Sequence, residues 1–327
     1  MIHGVLNVFK EKGYTSHDVV AKLRGITRQK KIGHTGTLDP DAEGVLPVCF
    51  GKATRLCDML TDKSKVYETV LLLGIETDTQ DITGTVLRQA ETDHLTDEEV
   101  RNCIQGYVGE YDQIPPMYSA LKVNGKKLCD LAREGKTVER KSRRVHIFEI
   151  EILQMELPRV KMRVHCSKGT YIRTLCSDIG ASLGIGGCME SLLRTRVASF
   201  EVKDSLRLEE IEAKMQAGTL MDSIIPIEQM FPEYAQLHVK KVFEALACNG
   251  NALKPEMFSE ARVSIFEDAV SEKTGCGENL SGKKDSGNHF RVYTENDVFI
   301  GIYEYQPVAR SMKLRKMFYA GEEQTGK

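Results

Sequence analysis

The first hundred residues switch between the two apolar spacings that separate strands from helices. GVLNVF (4–9) is an apolar run of strand length, and Val19, Val20 and Leu23 then share one face at helical spacing, with Ser16 placed to cap the helix. A stretch rich in Gly, Thr and Asp follows over 28–44. VLPVCFG (45–51) has the continuous apolar character of a buried strand, although Pro47 cannot donate to a ladder and weakens that reading. KATRLCDML (52–60) is amphipathic, and VYETVLLLG (66–74) is the next strand.

Thr96-Asp97-Glu98-Glu99 is a capping box that opens a helix toward Cys103, and Asn124-Gly125 marks a tight turn. RRVHIFEIEILQ (143–154) and RVKMRVHCS (159–167) alternate apolar and polar residues, as half-buried antiparallel strands do. Ile172, Leu175, Cys176 and Ile179 predict a helix after Gly169. The order of elements predicts an α+β body with a large, mainly antiparallel sheet and flanking helices over 1–235. From 236 to 327 the texture changes to short apolar runs, including HFRVYT and VFIGIYEY, which predict a small β-rich domain. The polar stretch 277–288 within it lacks apolar residues and reads as a loop.

Composition narrows the class. Hydrophobic residues make up 41% and charged residues 28% of the 327 positions, which excludes wholesale disorder. The chain starts without a secretory signal pattern, and no apolar run approaches the ~18 residues of a membrane span. These features predict a cytoplasmic protein. The nine cysteines are never spaced Cys-x-x-Cys, so neither a zinc site nor a redox pair is indicated. The net charge of −2 conceals segregation: residues 122–173 carry 14 Lys/Arg against 6 Asp/Glu, whereas 67–113 carry 2 against 11. A local positive surface is what phosphate contact requires, but a solvated charged face is equally served by it.

The candidate chemistry lies in GHTGTLDPDAEGVLP (33–47). Asp39, Asp41, Glu43 and Gly44 imitate the opening of a calcium loop, yet Phe50 stands where the closing bidentate Glu is needed. The glycines suggest a phosphate loop, but six residues separate Gly44 from Gly51 and Ala53 replaces the required Ser/Thr. Gly33-His34-Thr35-Gly36 fits the Gly-x-x-Gly of a KH domain. The remaining reading is a single catalytic carboxylate: Asp39 precedes Pro40, which favours an extended backbone, and nearby glycines allow close approach. From residue types alone, Asp39-Pro40 is also an ordinary turn.

GHTGTLDPDAEGVLPVCFGKATRL resembles the signature of the TruB family of tRNA pseudouridine-55 synthases, and is similar to the dyskerin-type synthases. KVYETVLLLGIETDTQDITG (65–84), QIPPMYSALKVNGKKLCDLAREG (113–135), RRVHIF (143–148) and CSKGTYIRTL (166–175) match family segments in order, so the resemblance spans roughly residues 2–200. It implies a pseudouridine synthase fold, a PUA-like RNA-binding domain at the C-terminus, and isomerisation of the T-loop uridine of tRNA. It further implies Asp39 as the essential carboxylate, Tyr67 stacked on the everted uracil, and Arg173 paired with Asp39. Tyr171 and Leu192 would line the base pocket, and His34 would enter the RNA loop. No cofactor, metal, membrane or obligate protein partner is expected, and a monomer acting on the T-arm is. Two other readings are a tRNA-folding chaperone with secondary catalysis and a guide-dependent synthase. The absence of an extended N-terminal segment disfavours the latter.

Overall fold

The computed structural model describes residues 1–123, 125–259, 288–319 and 321. Asn124 and nearly all of the predicted 277–288 loop lie outside the described residues. By its contacts the chain divides into two compact units. One comprises Leu6–Cys49 with Leu56–Ser223, the other Met1–Val5 and Phe50–Arg55 with Ile224–Lys327.

The larger unit is organised by a nine-stranded sheet. Its strands are β1 (Gly4–Lys10), β2 (Ile32–His34), β3 (Glu43–Phe50), β4 (Lys65–Leu73), β5 (Gly109–Gln113), β6 (Arg143–Glu156), β7 (Arg159–Cys166), β8 (Gly187–Val197) and β9 (Phe200–Glu201). The main path runs β1-β3-β8-β4-β7-β6-β5, with β2 beside β3 and β9 beside β8. The pairs β8–β4, β4–β7, β7–β6 and β6–β5 are antiparallel, as the alternation predicts. Strands β3 and β8 pair parallel, so the sheet is mixed.

Odd-numbered residues of β4 and even-numbered residues of β7 face one way, because strand side chains alternate. On that face Tyr67, Leu71, Leu73, Val160, Met162 and Val164 pack with Ile172, Leu175, Cys176 and Ile179. The last four lie on helix α3 (Ile172–Ser182), at the spacing that predicted it. Helices α1 (Ser16–Thr27) and α2 (Asp97–Gln105) precede it in the chain, and α2 carries the predicted capping box through Thr96 and Glu99.

One local expectation is corrected and two are refined. Thr15, not Ser16, caps α1: its hydroxyl accepts from Asp18 N at 3.1 Å, and the Asp18 carboxylate accepts from Thr15 N at 2.8 Å. Ser16 is buried one residue inside the helix, where its hydroxyl accepts from Leu38 N at 2.9 Å. Pro47 does not displace β3 to an edge, because β3 pairs with β8 only at Glu43 and Gly44 and Pro47 lies beyond that ladder. The amphipathic stretch 52–60 is a 3-10 turn (Gly51–Leu56) followed by a short helix (Cys57–Thr61).

The smaller unit holds a four-stranded sheet, β10 (Ala235–His238), β11 (His289–Tyr293), β12 (Phe299–Gln306) and β13 (Ser311–Met317). Its core includes Leu237, Phe258, Phe290, Val292, Ile300, Tyr303 and Met312. The Tyr303 hydroxyl donates to Ala247 O at 2.9 Å, which satisfies the phenol inside that core.

Helix α3 approaches the sheet closely at Gly180, where an added Cβ would stand 2.2 Å from Gly186 C and Gly187 N. Backbone cannot yield as a flexible side chain can. Gly180→Ala is expected to lower unfolding free energy by ~1–3 kcal/mol, the usual cost of overpacking, read as a lower denaturant midpoint. An unchanged midpoint contradicts that packing.

Candidate active site

The 33–47 loop is held from inside by two buried cations. Lys10, at the end of β1, is fully buried and its Nζ donates to Ala42 O at 2.5 Å and Pro40 O at 3.0 Å. Arg194, on β8, is 1% exposed and donates to Val45 O at 2.7 Å, Gly36 O at 3.3 Å and Thr37 O at 3.4 Å. Five carbonyls of one loop therefore turn toward fixed positive charge. Burial outweighs these contacts and pulls both cations down in pKa, Lys10 to about 8. Gly44 permits the arrangement: its φ is +108°, and a Cβ there would lie 2.2 Å from Arg194 O.

The turn that follows presents Asp39 outward, with Ala42 N donating to Asp39 O at 3.2 Å. Ser16 fixes the preceding residue, Leu38. Arg173, in the first turn of α3, meets the carboxylate twice, Nε to Oδ2 at 3.0 Å and Nη2 to Oδ1 at 3.3 Å. The same guanidinium donates to Tyr118 O at 2.8 Å and Thr79 O at 3.2 Å, and reaches Asp81 Oδ2 at 3.3 Å. All three of its nitrogens are engaged and its side chain is 6% exposed, while that of Asp39 remains 39% exposed. A planar fork held this way fixes the orientation of the carboxylate as well as its charge.

Asp81 lies in a hairpin loop bound to β8 by two backbone bonds, Ile82 N to Met189 O at 2.9 Å and Met189 N to Gln80 O at 3.0 Å. Its Oδ1 accepts from Thr79 Oγ1 (2.8 Å), Thr83 Oγ1 (2.6 Å) and Thr83 N (3.1 Å), which leaves Oδ2 for Arg173. Arg173 thus bridges two carboxylates. Burial raises the Asp39 pKa above the usual carboxylate value; Arg173 opposes that rise and Asp81 adds to it.

The other predicted residues fall around this pair. Tyr67 sits on β4 opposite Arg194 of β8, is 8% exposed, and feels the Asp39 charge. Burial pushes its phenol up in pKa, and the neighbouring Arg194 pulls it down. Leu192 lies opposite Thr69 and packs in the same apolar cluster as Tyr67, Leu38 and Ile172. Tyr171, half-buried at the start of α3, has its pKa raised by burial and lies within the fields of Asp39 and Arg173. His34 stands at the opening of the loop instead. Its ring packs edge-on to His17 at 5.4 Å, and Nδ1 accepts from Gly36 N at 3.3 Å. Burial lowers its pKa, which favours the neutral ring.

Sequence reasoning missed Asp81, Arg194 and Lys10. The hydroxyl-rich run Thr77-Asp78-Thr79-Gln80-Asp81-Ile82-Thr83 was a signal for an acid held by local side chains. Nothing comparable marks Lys10 or Arg194. A separate cavity of 440 Å³ opens on the opposite face of the sheet, beside Val66 and Glu68, and none of the candidate residues lines it. Among the described residues, no group of three or more His, Cys, Asp or Glu side chains is placed to hold a metal ion, and no helix is long and apolar enough to cross a membrane.

Comparison with known proteins gives the same picture. A chain in a solved H/ACA RNP bound to a substrate RNA containing 2′-deoxyuridine superposes with a TM-score of 0.68 at 23% identity, covering 98% of this chain and 86% of its own. A chain of a Cbf5-Nop10-Gar1 complex gives 0.68 at 25%, covering 97% and 85%. This chain therefore shares its fold with the matched chains of those two complexes. The profile of the TruB family pseudouridylate synthase N-terminal domain matches residues 24–172, and that of the tRNA pseudouridylate synthase B C-terminal domain matches 173–232. A tRNA pseudouridine synthase B of Lachnoclostridium phytofermentans is 50% identical over 325 residues, covering 97% of this chain and all of its own. Another, of Clostridium tetani, is 45% identical over 253 residues, covering 77% and 86%. The chain belongs to the TruB family of pseudouridylate synthases.

Arg194→Lys keeps the charge but cannot span Val45, Thr37 and Gly36. It is expected to lower stability by ~2 kcal/mol or more, since buried carbonyls left unpaired cost about 1–3 kcal/mol each. Chemical denaturation checks it, and a wild-type midpoint would remove the clamp from the account.

Proposed function

We propose that this protein converts the T-loop uridine at position 55 of tRNA to pseudouridine, with Asp39 as the catalytic carboxylate. The observation that carries the reading is the two-point contact between Asp39 and the buried Arg173, with the Asp39 charge felt at both Tyr67 and Tyr171. Family membership and relatives named tRNA pseudouridine synthase B support the reaction and its tRNA substrate.

Isomerisation breaks the N1–C1′ bond, turns the uracil and joins C5 to C1′. The proton on C5 is lost and N1 gains one, so no electron leaves or enters the substrate. The base must first leave its stack, at a cost of a few kcal/mol that is smallest in a loop. Stacking on Tyr67, with Tyr171 and Leu192 as walls, offsets that cost at ~1–3 kcal/mol per stacked base. Asp39 meets the everted nucleotide, and Arg173 holds the carboxylate ionised and aligned. His34, kept neutral at the start of the same loop, enters the RNA and helps keep the nucleotide out. The basic segment 122–173 contacts the T-arm phosphates. Segment 236–327 is read as a PUA-like RNA-binding domain, and the protein as a monomer that meets tRNA in the cytoplasm without an obligate partner.

Asp39→Asn is expected to reduce single-turnover pseudouridine formation by at least ~10²–10⁴-fold, the span for loss of one positioned acid–base group, with tRNA affinity retained. Wild-type turnover in that variant overturns the assignment. Because the ionised carboxylate is the working form, the rate falls as pH drops through its raised pKa. That acid limb lies above the ordinary aspartate value, and a limb at that value is the contrary result.

A further inference from the structure

Helix α3 must hold Arg173 and Tyr171 where Asp39 needs them, yet its N-cap residue, Tyr171, makes no side-chain capping bond. The constraint comes from β5. Gln113, the last residue of that strand, is 1% exposed. Its Oε1 accepts from Tyr171 N at 2.8 Å, and its Nε2 donates to Tyr171 O at 2.9 Å.

One side-chain amide thus supplies both bonds of an antiparallel strand pair to a residue that lies in no strand. A single bond leaves a peptide free to turn about it, whereas two opposed bonds fix its position and its plane. Only an amide of glutamine length can make both bonds, because Glu has no donor, Asn is one carbon short, and Ala has neither group. The same edge of the sheet grips α3 again further along, where Tyr111, two residues earlier on the same strand face, gives its hydroxyl to Asp178. On the other side of the first turn, Thr174 Oγ1 donates to Gln80 Oε1 at 2.7 Å. Between these anchors sits Arg173.

We propose that Gln113 is a positioning residue for the isomerisation, setting through the backbone of Tyr171 where the first turn of α3 presents the Tyr171 phenol and the Arg173 guanidinium to Asp39. The proposal rests on the reading of the protein as a pseudouridine synthase with Asp39 at its centre. Gln113 acts on neither the nucleotide nor the carboxylate directly, so its loss affects the rate and leaves tRNA capture in place.

The test is single-turnover pseudouridine formation on unmodified tRNA transcript across pH, with tRNA affinity measured separately, for wild type, Gln113→Ala and Gln113→Glu. Gln113→Ala is expected to lower the rate constant ~10–100-fold, up to the cost of an ångström-scale misplacement of a positioned group, with tRNA Kd unchanged. Gln113→Glu, which still accepts from Tyr171 N, falls between the two. In Gln113→Ala the acid limb of the rate profile moves to higher pH, because a displaced Arg173 no longer holds the Asp39 pKa down. A wild-type rate constant in folded Gln113→Ala overturns the proposal. So does a slowed enzyme whose acid limb stays put and which Glu does not rescue, since that pattern marks packing alone. If Gln113→Ala does not fold, Gln113→Glu decides on the rate constant and the tRNA Kd: a slowed enzyme with unchanged Kd supports the proposal, and a wild-type rate constant overturns it. An active wild type with unaffected variants refutes only this inference; an inactive wild type refutes the functional reading and the inference together.

Discussion

The site depends on one guanidinium shared between two carboxylates. Arg173 meets Asp39 through two nitrogens and Asp81 through the third, and spends its remaining donors on the carbonyls of Thr79 and Tyr118. A buried arginine with no free donor is confined to one place and one plane. Asp81 is itself confined by Thr79 and Thr83, so the only loosely held member of the set is the exposed side of Asp39. That asymmetry leaves a carboxylate fixed from behind and open in front, which is what a group that must meet a substrate requires.

Opposing effects are balanced around it. Burial and the neighbouring Asp81 raise the basicity of Asp39, while Arg173 and Lys10 restrain the rise. Lys10 and Arg194 also turn the loop's carbonyls inward, which keeps them from crowding the carboxylate. The arrangement needs Gly44, because its backbone passes Arg194 too closely for any side chain. Fold and site are therefore linked through a few contacts: β1 and β8 supply the cations, α1 supplies Ser16, and the start of α3 supplies Arg173.

Much of this is legible in the chain itself. The alternation in 143–154 and 159–167 marks the paired strands β6 and β7, and the apolar spacing from Ile172 to Ile179 marks the buried face of α3. The resemblance carried by the Asp39 loop and the Gly-Thr-Tyr-Ile-Arg run anticipates the Asp39–Arg173 contact. What escapes are residues whose function depends on distant partners. Gln113 lies 58 residues from Tyr171, and Arg194 lies 149 from Val45, so no local spacing announces either. Ser16 misleads for a different reason: two hydroxyl residues, Thr15 and Ser16, stand together at the helix start, and the reciprocal bonds with Asp18 make Thr15 the cap while Ser16 turns to Leu38.

Burial raises the pKa of Asp39 above its ordinary value, Arg173 restrains that rise, and the same guanidinium holds the carboxylate in place. Site-resolved carbon NMR titration of the Asp39 carboxyl, in wild type and in Arg173→Gln, tests it most directly. The account predicts a wild-type pKa above the ordinary aspartate value, and a further rise once the guanidinium is gone. An ordinary value that does not respond to the loss of Arg173 would contradict it.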